Sequence, residues 1–145
     1  MQNKVVLPDL QKKAFIEGSI DQVWKAVATS KGLDAWFMLN DFEPVEGHKF
    51  DLNRGQFGVS PCYVKKVSPP HHLSFTWGKD WLVTFELKEL GDLTEFTVTH
   101  SGWDVEKVTE FRSSHTVVHE NMDVGWSNLI KKLYMYLKET NEEVQ

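Results

Sequence analysis

WLVTFELKELGDLTEFTVTHS, Trp81 to Ser101, consists of two alternating runs joined at Gly91-Asp92. Trp81, Val83, Phe85 and Leu87 fall on one side of the first run, and Phe96, Val98 and His100 on one side of the second. Successive side chains of a strand point to opposite faces. A period of two around a glycine-containing turn therefore predicts an antiparallel hairpin with one apolar face. Thr84, Glu86, Lys88, Glu95, Thr97 and Thr99 occupy the other side, which predicts a sheet that is wet there.

Upstream, HKFDLN, YVKKV and HLSFTW repeat the pattern between the turn clusters NRG, SPP and GKD, extending the hairpin into a meander from Gly47 to Ser101. Leu73, Phe75 and Trp77 continue the apolar face, with Ser74 and Thr76 opposite; the inward set of YVKKV stays ambiguous. Further upstream, KKAFIEG (Lys12 to Gly18) reads as a strand. Ser19 and Gln22 then have the spacing of a capping box, ahead of a helical stripe of Val23, Trp24 and Val27. Gly32 is expected to break that helix, leaving a second short one with Leu33, Trp36 and Phe37. Downstream, Val118, Met122, Trp126, Leu129, Leu133 and Leu137 recur every three or four residues, predicting an amphipathic helix from about Thr116 to Thr140. Such a helix needs an apolar partner, and the aromatic sheet face is the large one on offer. The expected class is α+β: a strand, two short helices, a curved antiparallel sheet, and a long helix laid across it.

With 145 residues, no repeat and no linker, the chain reads as one domain over 1–145, with loosely held ends at about 1–10 and 140–145. A net charge of −5 disfavours nucleic acid, whose affinity rests on Lys and Arg displacing counterions. No apolar run approaches the ~20 residues of a membrane span, and the N-terminus lacks the basic start and apolar middle of a signal peptide. A cytoplasmic protein is expected. The single Cys62 cannot form an internal disulfide and is expected to be a half-buried structural thiol.

FIEGSIDQVWKAVATSKGLDAWF, GHKF, VSPPHHLSFTW, VTFELKELGDLTEFTVTHSGW and GWSNLIKKLYMYL together, and in this order, resemble the START-like or SRPBCC superfamily, the birch-pollen-allergen-like helix-grip fold. Within it the resemblance is to the group related to the C-terminal domain of the activator of the heat shock protein 90 ATPase. The resemblance implies a cavity between the sheet and the long helix that holds lipids, polyketides or flavonoid-like molecules. It also implies rival roles: a chaperone-associated module, or a cyclase or hydrolase on the same scaffold. Many relatives place a histidine where this chain has Met122, so that residue's role is not carried over.

The cavity-lining set expected here is Trp36, Phe37, Trp77, Trp81, Phe85, His100, Trp103, Met122, Trp126, Leu129 and Leu133. His100 is the polar member, placed inside by alternation and able to orient a ligand carbonyl or hydroxyl. Gly125 beside Trp126 either lets the helix approach the sheet or is a tolerated interior glycine. His115 and His119 have a spacing that can present two rings to one metal, but no third ligand accompanies them, and they are expected to be solvated or capping. His71 and His72 follow two prolines and should be exposed. Asp34, Asp41, Glu43 and Glu46 read as a solvated rim. There is no GxSxG elbow, no phosphate-binding glycine loop and no HExxH pattern. No catalytic residue, metal or cofactor is therefore assigned. The expected role is a carrier or sensor of a hydrophobic small molecule, monomeric or weakly dimeric, with a heat shock protein 90-type chaperone as the alternative partner.

Overall fold

The computed structural model describes residues 7–53, 55, 58–109 and 111–144, the last four by backbone alone. The first strand, β1 (Leu10–Glu17), begins two residues earlier than expected. Ser19 then caps α1 (Ile20–Val27): its Oγ accepts from the Gln22 amide at 3.2 Å, and Gln22 Oε1 accepts from the Ser19 amide at 3.0 Å. Both ends of the box are satisfied, so two otherwise orphaned donors of the helix start are paired.

The helix break is not at Gly32. It lies at Ala28-Thr29, where Thr29 Oγ1 accepts from the Gly32 amide at 3.0 Å and opens α2 (Ser30–Trp36), with Gly32 inside that helix. The glycine serves close approach. A Cβ there would collide with the Ala26 carbonyl oxygen and lie 2.6 Å from that of Lys25.

The sheet comprises β1, β2 (Leu39–Asn40), β3 (Lys49–Asn53), β4 (Val59–Ser68), β5 (His72–Trp77), β6 (Trp81–Leu90) and β7 (Leu93–Ser101), all antiparallel, in the order β1-β7-β6-β5-β4-β3-β2. The β6–β7 hairpin pairs Val83 with His100 and Phe85 with Val98. Every apolar residue assigned to its inner face is buried. The YVKKV ambiguity resolves through the longer β4: Ser60, Cys62 and Val64 face inward, and a register shift between Val64 and Lys66 re-aims the rest. Cys62 is fully buried rather than half-buried. On the outer face Ser74 is also buried, an exception among residues that are otherwise half-buried or exposed.

The long helix α3 (His115–Val144) buries Trp126, Leu133 and Leu137, while Val118, Met122 and Leu129 are partly buried against the same core. The curled sheet, with α1, α2 and α3 on its inner side, is a helix-grip fold. Residues 1–6 and 145, part of the ends expected to be loose, lie outside the described residues.

Candidate functional site

Alternation along β5, β6 and β7 carries Trp77, Trp81 and His100 to neighbouring points of the inner face. Trp77 pairs with Trp81 across one hairpin, and His100 pairs with Val83 across the next. The rings then meet: His100 lies 5.4 Å from Trp77 in a stacked arrangement and 5.0 Å from Trp81 edge-on, while Trp103 tilts against it at 4.5 Å. From the helix side, Trp126 closes on the same ring at 5.9 Å and stacks on Phe37 at 5.5 Å. Phe85 and Trp36 extend the aromatic layer, with centroids 5.8 Å apart. Four of the expected lining residues, Trp77, Trp81, Trp103 and Trp126, thus touch the His100 ring, and Phe37, Phe85 and Trp36 join through Trp126 and Phe37. Leu133 is buried, and Met122 and Leu129 are partly buried along the α3 face of the same core.

His100 is fully buried, and its hydrogen bonding fixes its tautomer. The Trp126 indole Nε1 donates to His100 Nδ1 at 2.9 Å, so the ring proton sits on Nε2. Burial pushes the ring pKa down from 6.5 to about 3, with His119 and His115 adding smaller effects in the same direction. At neutral pH the imidazole is therefore uncharged, its basic nitrogen is occupied, and its remaining function is to donate from Nε2. Such a ring is poorly suited to general base work, which needs a free lone pair and a pKa near the working pH.

That Nε2 has no partner among the described residues, and neither have the indole nitrogens of Trp77 and Trp81. Buried polar groups are paired in the large majority of cases, and an unpaired donor costs about 1–3 kcal/mol. Three such donors on adjacent rings form a concentrated demand for acceptors. The other indoles in this region are satisfied: Trp36 Nε1 donates to Ala26 O at 2.8 Å and Trp103 Nε1 to His100 O at 2.9 Å.

His115 departs from expectation. It is fully buried, not solvated, and ties the chain after β7 to the β5–β6 turn. Its Nδ1 accepts from the Asp104 amide at 3.1 Å, which puts the proton on Nε2, and Nε2 donates to Asp80 Oδ2 at 3.3 Å. Lys107 Nζ reaches the other oxygen of Asp80 at 3.4 Å. Helical periodicity held the signal for this burial, since residue 115 shares a face with 119, 122 and 126; Asp80, in a turn, carried none. His119 is half-buried, its Nε2 2.9 Å from Pro8 O. Among the described residues no group of three His, Cys, Asp or Glu side chains could hold a metal ion.

Elsewhere His71 is exposed and His72 half-buried. The loop carboxylates are exposed but occupied structurally: Asp34 Oδ1 accepts from Asn40, Asp41 Oδ1 from the Asp51 amide, and Glu46 Oε1 from the Val67 amide. A Cβ at Gly125 would touch only Met122 Sδ, at 3.8 Å, so no close approach of helix to sheet requires that glycine. No described helix is long and apolar enough to cross a membrane.

Comparison with known proteins places this geometry in context. The family described as activator of Hsp90 ATPase homolog 1-like protein matches residues 17–138. The solution structure of protein BH1534 from Bacillus halodurans is 44% identical and superposes with a TM-score of 0.80, covering 90% of this chain and 96% of that one. Protein MLL2253 from Mesorhizobium loti is 24% identical, with a TM-score of 0.81 over 92% of this chain and 98% of its own. The Aha1 dimer from Colwellia psychrerythraea shares the fold at 19% identity, with a TM-score of 0.73 over 90% and 96% of the two chains. No curated protein matches the chain.

Proposed function

This chain belongs to the activator of Hsp90 ATPase homolog 1-like family, and from that premise we propose that it binds a hydrophobic small molecule, lipid, polyketide or flavonoid-like, between the sheet and α3. The observation that carries this reading is the set of three buried N–H donors, on Trp77, Trp81 and His100, that have no partner among the described residues and sit within an otherwise aromatic interior. Apolar walls supply affinity at about 25 cal/mol per Å² removed from water, and a few fixed donors orient the guest. The ligand presents a carbonyl or hydroxyl oxygen to this end of the sheet, and its body lies against Phe37, Phe85 and Trp126. The rings part to admit it on the side of the first half of α3, where Val118 and Met122 are only partly buried; Leu133 and Leu137, farther along, are buried. The role is that of carrier or sensor, because the neutral, occupied His100 ring does not move protons.

Intrinsic tryptophan fluorescence during titration with fatty acids, flavonoids and aromatic polyketides tests the proposal. Saturable quenching by one class, weakened by Trp126→Phe and unaffected by Lys66→Ala on the outer surface, is the expected result. Absence of quenching across the panel would refute it. Family membership favours a second reading, association with a heat shock protein 90-type chaperone. Stimulation of that chaperone's ATPase by this chain, without any small-molecule response, would favour this alternative.

A further inference from the structure

Outside the aromatic interior, α1, the start of α2 and the end of α3 enclose a separate groove of about 470 Å³, a size typical of small-molecule sites. Its origin lies in local sequence. Gly32 rests directly on the carbonyls that end α1, and Ala26 is the other small residue of that wall. Gln22, Lys25, Thr29 and Lys31 complete that side, and Tyr136, Leu137 and Thr140 of α3 form the facing wall.

Two exposed lysines, Lys25 and Lys31, line this apolar slot, and neither has an ion-pair partner among the described residues. Lys12, Lys13, Lys79 and Lys107 lie within 4 Å of a carboxylate, so the two groove lysines belong with those whose charge no described carboxylate offsets. A shallower concavity adjoins the groove through Tyr136 and adds Lys131 and Lys132, with Glu139 its one acidic residue. The two together are an apolar track bordered by four lysines. A neutral apolar guest would make no use of those charges and a cation would be repelled, whereas an anionic head with a hydrocarbon tail satisfies both parts.

We propose that this groove is a binding site for a single-chain amphiphile with an anionic head, the head held by Lys25 and Lys31 and the tail lying along Ala26, Tyr136 and Leu137. This site is distinct from the interior one and does not depend on it.

Amide chemical shifts of the whole chain, titrated with decanoate and separately with decyltrimethylammonium, both kept monomeric, provide the test. Decanoate is expected to shift the amides of residues 25–32 and 136–140 saturably, and the cation of equal tail length to bind them at least tenfold more weakly. Lys25→Glu combined with Lys31→Glu, both at exposed positions, should weaken decanoate at least tenfold with the rest of the spectrum intact. Thr140→Trp, which covers the slot from α3, should weaken both probes. Equal binding of the two probes, an unchanged decanoate titration in the double variant, no shifts at all, or shifts confined to residues around Trp77 and His100 would each overturn the proposal.

Discussion

Lowering the pH from 7 to 5 should destabilise this protein through His100 in a way that can be separated from every other titration. In the unfolded chain the ring takes up a proton near 6.5, whereas in the fold burial holds it to about 3. Between those values the unfolded state binds a proton that the native state refuses, so stability rises with pH across the window and is fully present above 6.5. At pH 5 the ring lies about 1.5 units below its unfolded value, and at about 1.4 kcal/mol per unit the loss is about 2 kcal/mol. Urea unfolding at pH 7, 6 and 5 measures it, with His100→Gln as the control, since a glutamine amide cannot titrate yet offers an oxygen to the Trp126 indole. The wild-type advantage over the variant should shrink by about 2 kcal/mol from pH 7 to pH 5. Parallel pH dependence in the two proteins would show that His100 is not held neutral by burial, and the donor role built on that would fall with it.

Three further outcomes follow from the packing. Gly102→Ala combines a backbone φ of +95° with a Cβ driven into the Asp80 carbonyl oxygen, and should lower stability by about 2 kcal/mol or more in urea unfolding. Gly125→Ala, by contrast, meets open space apart from Met122 and should raise the thermal midpoint, by a stabilisation of up to about 1 kcal/mol. Ser19→Ala removes the acceptor of the α1 capping box and should cost about 1 kcal/mol, read by the same unfolding curve.

The strands of the meander were legible because one face is buried and the other wet, which imposes a period of two; it placed the buried inner residues of β5, β6 and β7 except Thr94, whose polar side chain carries no inward signal. Two strands escaped that logic. β2 is only two residues long, and β4 begins at Val59-Ser60-Pro61, where a small polar side chain points inward and a proline interrupts the pattern. The helix break lies at the Thr29 cap rather than at Gly32, because that glycine serves contact with the α1 carbonyls and not termination. Within the candidate site, alternation was enough to bring His100 inside among tryptophans. Which ring nitrogen is engaged depends on a residue 26 positions away on α3, and no local pattern encodes that pairing. The part-buried Asp80–His115 contact and the lysine-lined groove were hidden for the same reason, since each joins elements far apart in sequence.

The proposed ligand supplies the acceptors that Trp77, Trp81 and His100 lack among the described residues. The most direct measurement follows the six indole N–H resonances, Trp24, Trp36, Trp77, Trp81, Trp103 and Trp126, as the fatty acid, flavonoid and polyketide panel is added. One class is expected to move the Trp77 and Trp81 signals downfield in a saturable manner, while Trp36, already bonded to Ala26 O, stays in place. A panel that leaves Trp77 and Trp81 unmoved, or shifts all six alike, would contradict it.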